Sequence, residues 1–423
     1  EGVELPHTVT EKILAHAAGL PSVTPGDLIN ARVDNVIGHD ITTAAFRVLE
    51  KWGIDRVFDP EKVLFTVDHF VPSPTQDAAA QLKDLGNYIE RYGIKHYFAP
   101  GHGGICHAIF PEAGLIRPGT VVVGSDSHTC TYGALGAFSS GMGATDVAAA
   151  MALGEVWLKV PATIRFDITG RLGPWSTGKD LILYVIGQIG VDGALYKAME
   201  FTGEAVRALP MDDRFTICNM AIEAGAKNGI IEFDETTRGY VEGRVKEDYL
   251  VFHSDPDAEY ETTYRWDASA IVPMVAQPHF PANVAPAADV KGVRVHQVVI
   301  GSCTNGRISD LRAAASLLKG KKVAKGTRLL VIPATQQVYL EAMREGLLEI
   351  FIEAGGMVTP PTCGPCFGGH MGLLADGETA ISTTNRNFPS RMGHKGSRVY
   401  LASPYTAAAS AVAGEIVDPR EVK

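Results

Sequence analysis

Val121-Val122-Val123-Gly124-Ser125-Asp126-Ser127-His128-Thr129-Cys130 passes in ten residues from three β-branched side chains, through a glycine, into a run of small and reactive ones. The first part reads as a short strand, the rest as the loop at its carboxyl end. The same transition recurs where Val298-Val299-Ile300 leads into Gly301-Ser302-Cys303-Thr304-Asn305-Gly306. Open α/β sheets gather ligands at the carboxyl ends of their strands, where a following helix aims its first N–H groups outward. Both stretches therefore predict an α/β fold with its chemistry at strand ends, suited to an anionic ligand.

Further strand-like runs at 62–67 and 328–332 alternate with helix-length segments at 76–92, 144–153, 307–318 and 405–413. Such alternation predicts mostly parallel sheets. Thr8 followed by Glu11 is a capping-box pattern opening a helix that ends near Gly19. One boundary is expected near 159–162, before a new strand at Thr163. A second falls in the proline-rich stretch, giving three α/β domains at 1–160, 161–278 and 279–423. Residues 268–288 carry no formal charge, but Pro273, Pro278, Pro281 and Pro286 exclude a membrane-spanning helix. The stretch reads as an extended linker.

The 48 acidic and 38 basic residues leave a net charge of −10, and no basic stretch is longer than 319–322. Nucleic acid is a poor partner for such a chain, because phosphate neutralisation needs clustered Lys and Arg. The start of the chain lacks a signal-peptide pattern, which predicts a cytoplasmic protein. Six cysteines in 423 residues are too few for a disulfide scaffold.

Two of the six stand close together, in Thr362-Cys363-Gly364-Pro365-Cys366-Phe367-Gly368-Gly369-His370. The C-x2-C spacing admits a structural zinc site of Cys303, Cys363, Cys366 and His370. It also admits a redox pair, though the pair does not open a helix in a βαβ context. A third option is an iron–sulfur cluster in which Cys303 joins Cys363 and Cys366. With only three thiolates, one iron of a 4Fe-4S cube stays open and acts as a Lewis acid.

Taken with Gly124-Ser125-Asp126-Ser127-His128-Thr129, the loop 301–306 and Thr384-Asn385-Arg386-Asn387-Phe388, this segment resembles the signatures of the aconitase superfamily. Within it, the chain is most similar to the large-subunit branch of 3-isopropylmalate dehydratases and homoaconitases, in the shorter, archaeal-type form. The resemblance runs over essentially the whole chain. It implies three α/β domains around a central iron–sulfur cleft, with Cys303, Cys363 and Cys366 holding one 4Fe-4S cluster and Cys106, Cys130 and Cys218 as ordinary thiols.

The activity it implies is dehydration and rehydration of a small 2-hydroxy di- or tricarboxylate. The foremost substrate is 2-isopropylmalate, converted to 3-isopropylmalate in leucine biosynthesis; homocitrate and 2,3-dimethylmalate are alternatives. Acid–base work near neutrality is most readily done by His oriented by a carboxylate. The resemblance implies three such pairs: Asp68 with His69, His107 with Asp126, and His128 with Glu223. Arg386 and Arg391 would bind and frame the substrate carboxylates, with Ser127, His39 and Asp40 as further substrate contacts. Asn219, Asn305 and Asn385 would neighbour the cluster. Relatives with a fourth domain draw a Ser base and more Arg clamps from it, so the resemblance implies a separate small subunit as partner. The non-enzyme alternatives are a zinc-stabilised binding protein and an iron-sensing RNA binder.

Overall fold

The structure, a computed structural model, describes residues 6–422. Its first third supplies β1 (Leu28–Arg32), β2 (Asn35–Gly38), β3 (Val63–Thr66), β4 (His96–Phe98), β5 (Val121–Gly124), β6 (Phe138–Gly141) and β7 (Glu155–Lys159). Strands β2 to β6 form a parallel sheet in the order β4-β3-β2-β5-β6, while β1 and β7 pair in a separate antiparallel ribbon. Alternate side chains sort to opposite faces: Val36, Val63, Phe65, Val121 and Val123 enter one core, and Ile37, Leu64 and Val122 the other. Both faces are covered, which is why these strands read as unbroken apolar runs. Each such buried side chain contributes about 1.5–3 kcal/mol.

A second parallel sheet, in the order β10-β9-β8-β11, comprises β8 (Thr163–Thr169), β9 (Ala198–Thr202), β10 (Asn228–Ile231) and β11 (Thr262–Asp267). The remaining strands are β12 (Met274–Ala276), β13 (Val284–Pro286), β14 (Gln297–Gly301), β15 (Arg328–Ile332), β16 (Met357–Val358), β17 (Thr379–Ser382) and β18 (Arg398–Ala402). They form a seven-stranded sheet, β13-β12-β18-β17-β14-β15-β16, parallel except that β12 runs against both of its neighbours. The fold is thus mixed α/β with mostly parallel sheets.

The proline-rich stretch is not the extended linker that its composition predicts. Strands β12 and β13 make a hairpin, and β12 pairs with β18, so the stretch forms one edge of the third sheet. The prolines occupy positions that need no ladder N–H: Pro273 precedes β12, Pro278 and Pro281 lie between the strands, and Pro286 ends the edge strand. A division of the chain at 278 and 279 falls within this hairpin.

The helix Val9–Ala18 opens on the expected capping box between Thr8 and Glu11 and closes on Gly19 at φ +67°. Gly104 bridges to Thr335, and a Cβ there would stand 2.5 Å from the Ala334 carbonyl oxygen. That approach brings the first and third sheets together beside the site. No described helix is long and apolar enough to cross a membrane.

Candidate active site

The carboxyl ends of β2, β3 and β5 deliver His39 and Asp40, Asp68 and His69, and Asp126 to His128 into one buried region. Asp68 is fully buried; one carboxylate oxygen lies 2.6 Å from His69 Nδ1 and the other accepts the Cys106 N–H at 2.8 Å. Asp40 accepts the N–H groups of His69 and Phe70 at 3.1 and 2.6 Å and stands 3.6 Å from His69 Nδ1. Burial works against a charged His69, but Cys363, Asp68 and Asp40 outweigh it and hold its pKa well above the ordinary value. His39 stacks on His69 with ring centroids 4.2 Å apart, and its Nδ1 accepts the Ile41 N–H at 3.2 Å. Burial, with His69 beside it, pushes the His39 pKa down.

Asp126 serves two imidazoles. Its Oδ1 lies 2.9 Å from His107 Nε2 and accepts the backbone N–H of His128 at 2.7 Å, with His128 Nδ1 at 3.4 Å. Burial alone would raise its pKa, yet His107 and His128 hold it well below the usual carboxylate range. The other nitrogen of His107 meets the Tyr132 hydroxyl at 3.1 Å, and His128 Nε2 meets Glu223 at 2.7 Å. Asn219 and Glu223, one turn apart as the sequence predicts, face Asn385 and Arg386. Asn385 Nδ2 donates to Asn219 at 3.1 Å, while Arg386 Nε donates to both Glu223 oxygens at 2.8 and 3.1 Å and its Nη1 to Ser127 Oγ at 3.1 Å.

Three thiols border these groups. Asn219 and Asn385 each donate to Cys303 Sγ at 3.3 Å, Cys366 Sγ donates to Asn385 Oδ1 at 3.6 Å, and Cys363 Sγ lies 3.9 Å from His69 Nδ1. Ser302 reaches Cys303 and Cys366 at 3.7 and 3.9 Å from a backbone at φ +77°, rare for a residue with a side chain. Burial pushes the Cys303 thiol up to about 12 and Cys363 well above its ordinary value, so neither ionises without a cation to receive it.

A mononuclear zinc does not fit this donor set. Zn–S bonds of about 2.3 Å place tetrahedral sulfurs about 3.8 Å apart. Among the described residues only His39, Asp40, Asp68 and His69 bring three or more ligand atoms within 4.8 Å of one another, and the cysteines do not. His370 Nε2 is instead 2.7 Å from the Pro72 carbonyl. The four clustered residues are no better as a cation site, since each of their carboxylate oxygens already accepts a hydrogen bond. A wider polynuclear cluster, reached by three separated thiols and flanked by amide donors, suits the arrangement.

The remaining expected residues divide. Arg391 is half-buried, with its Nε enclosed and unpartnered among the described residues. Asn305 does not touch sulfur: its amide is occupied by Lys179 at 3.2 Å, Asp310 at 2.9 Å and Thr216 at 3.4 Å. Cys130 is tied to the Asn219 carbonyl at 3.3 Å, and Cys106 and Cys218 are buried. The sequence gives no sign of Lys179 or Arg307. Arg307 donates to the carbonyls of Cys303 and His107, both at 2.9 Å, and so joins a thiol loop to an imidazole helix.

A model of the aconitase family (aconitate hydratase) matches residues 11–291 and 283–414. The chain is 58% identical to the 3-isopropylmalate dehydratase large subunit of Moorella thermoacetica, over 98% of its own length and 99% of that protein's. It is 56% identical to the 3-isopropylmalate dehydratase large subunit of Aquifex aeolicus, over 98% and 97%. A crystal structure of Thermococcus kodakaraensis aconitase X in its holo-form aligns at a TM-score of 0.49 and 13% identity, over 85% of this chain and 84% of that one, a likeness too loose to bear on the site.

Proposed function

The chain belongs to the aconitase family, which implies an iron–sulfur cofactor, and from that premise we propose that it is the cluster-bearing large subunit of a 3-isopropylmalate dehydratase. Its reaction is the reversible loss of water from 2-isopropylmalate and its return one carbon over, giving 3-isopropylmalate in leucine biosynthesis. Identity of 56–58% with large subunits so named, over nearly the full length of both chains, supports the substrate. The observation that carries the chemistry is the convergence of Cys303, Cys363 and Cys366 on carboxylate-paired imidazoles and Arg386.

Cys303, Cys363 and Cys366 would hold a 4Fe-4S cluster with one iron free of protein ligands. When bound, that group supplies an open Lewis-acid position for the substrate's hydroxyl and a carboxylate. The chain's own residues bind, orient and move protons. His69, kept charged by Asp68 and Asp40, is the acid that gives a proton to the departing hydroxyl. His107 and His128, joined through Asp126, sit along one wall as hydrogen-bond donors to substrate, and Glu223 fixes the His128 ring. Arg386, anchored by Glu223 and Ser127, offers its uncommitted Nη2 to a carboxylate, and Arg391 its half-buried guanidinium. His39 lines the floor against His69. The base that removes the carbon-bound proton comes from a separate small subunit, as the relatives' designation as large subunits suggests.

The test has two arms. Anaerobic reconstitution with iron and sulfide should give broad visible absorption near about 400 nm in the wild type and in variants of Cys106, Cys130 and Cys218. Serine variants of Cys303, Cys363 or Cys366 should lose it. A single bound zinc without visible colour would overturn the reading. Combined with its small subunit, the protein should isomerise 2-isopropylmalate in preference to homocitrate or 2,3-dimethylmalate; the reverse order would reassign the substrate.

A further inference from the structure

Lys179 lies in the first turn of the helix Gly178–Ile189 and is fully enclosed, with none of its surface exposed. Two physical costs attach to it there. A cation at a helix N-terminus opposes the helix dipole, and an ammonium taken out of water loses its hydration. Among the described residues none of the groups that Nζ hydrogen-bonds is a carboxylate that would offset those costs directly.

Its three N–H donors are instead all spent on two loops remote in sequence. Nζ donates to Asn305 Oδ1 at 3.2 Å and to the carbonyls of Thr383 and Thr384 at 2.6 and 2.8 Å. Asn305 closes the short helix Ser302–Asn305 that carries Cys303. Thr383 and Thr384 lead from β17 into Asn385 and Arg386. The two loops also touch directly, since Thr304 Oγ1 donates to the Thr383 carbonyl at 2.7 Å. A residue of the helix before β9 therefore grips, from outside the third sheet, the turn bearing one thiol and the turn bearing a sulfur-contacting amide and the carboxylate-binding guanidinium.

The charge matters as well as the grip. Burial pulls the Lys179 pKa down to about 7, with Asp310 opposing the fall. The three oxygen acceptors around Nζ engage three N–H groups, which only the charged form carries, so the side chain sits there as an ammonium.

We infer that Lys179 is a positioning residue of the site, an ammonium that locks the Cys303 loop to the Asn385-Arg386 loop and sets a positive charge behind both turns. The inference rests on the cluster reading above. It is tested in the full chain, reconstituted anaerobically with ferrous iron and sulfide, by comparing wild type with Lys179→Met and Lys179→Arg. Two readouts are taken besides activity: the reduction potential of the bound cluster, and the rate at which a chelator bleaches its visible absorption.

Removing a buried positive charge favours the more oxidised, less negative cluster, so Lys179→Met should shift the potential to more negative values. Loss of the three hydrogen bonds should speed bleaching about tenfold, the effect of about 1.4 kcal/mol. Lys179→Arg keeps the charge but cannot place a planar fork on the same three acceptors, so its potential should stay near that of wild type while bleaching still accelerates. A folded Lys179→Met with unchanged potential and bleaching would overturn the inference. Should that variant fail to fold, unchanged bleaching in Lys179→Arg would overturn it equally. A wild-type chain that takes up no chromophore would sink the cluster reading itself, whereas normal uptake with indistinguishable variants sinks the role of Lys179 alone.

Discussion

The peptide carbonyl of Asp68 accepts the backbone N–H of Cys363 at 2.7 Å, joining the turn after β3 to the thiol turn 295 residues later. The same residue's carboxylate holds His69, so acid group and thiol are placed by one amino acid through two independent sets of atoms. Asp68→Asn should separate the two roles. It leaves the carbonyl bond intact and weakens the support for a charged His69, so iron content should stay at the wild-type level while kcat falls about 10²–10⁴-fold. Iron analysis alongside steady-state kinetics checks this, and parallel loss of iron would count against it.

Glu223 accepts from His128 and from Arg386 at once, with 2% of its side chain exposed. Glu223→Gln must turn an N–H2 toward one of two donors, disturbing an imidazole and a guanidinium together. We expect a rise in KM together with a fall in kcat, and a drop in kcat/KM of about 10²-fold or more, equivalent to about 2.7 kcal/mol. Ser127→Ala removes only one contact to Arg386 and should cost about tenfold, carried mainly by KM. Equal effects in the two variants would argue against a shared Glu223 anchor.

The contrast between Glu223 and Lys179 shows what a single sequence discloses. The strand-end motifs were legible because short apolar runs followed by Gly, Ser, Asp and His have few other uses, and β3, β5 and β14 lie where those runs put them. Glu223 was named through the family resemblance, and its apolar or small neighbours from Met220 to Gly225 added only that it would be buried. Lys179 stands in Thr177-Gly178-Lys179-Asp180, a stretch that reads as a solvated capping box, and nothing local says that its side chain turns inward to meet residues 126 and 204 positions away. Arg307 is hidden for the same reason. The linker reading of the proline-rich stretch failed partly on a non-local fact too: besides its local hairpin with β13, β12 pairs with β18, more than 120 residues later.

Arg307 is 6% exposed and joins the carbonyls of Cys303 and His107. Arg307→Met strands both acceptors in a buried region where water cannot replace the lost donors. A loss of about 2–4 kcal/mol in unfolding free energy is expected, read from urea denaturation of the chain without iron. Arg307→Lys should recover only part of it, because an ammonium does not present the planar fork that reaches both carbonyls. Full recovery by lysine would show that charge, not geometry, is what the position requires.

Glu200, on β9, gives the pH dependence its clearest prediction. Its side chain is enclosed, with one oxygen accepting from Ser254 and the other from Tyr260, both at 2.9 Å. Burial, reinforced by Glu232, pushes its pKa up to about 7, against about 4.3 for an exposed Glu. The folded chain therefore binds this proton more tightly than the unfolded one. The associated stability is fully present below about pH 4.3 and is lost as pH rises through about 7, with a total change of about 4 kcal/mol. Glu200→Gln cannot ionise and should escape that loss. Urea midpoints measured from pH 5 to 8.5 should show the variant more stable than wild type at the alkaline end, with the gap closing toward pH 5. Parallel curves for the two proteins would mean that Glu200 is ionised in the folded state throughout.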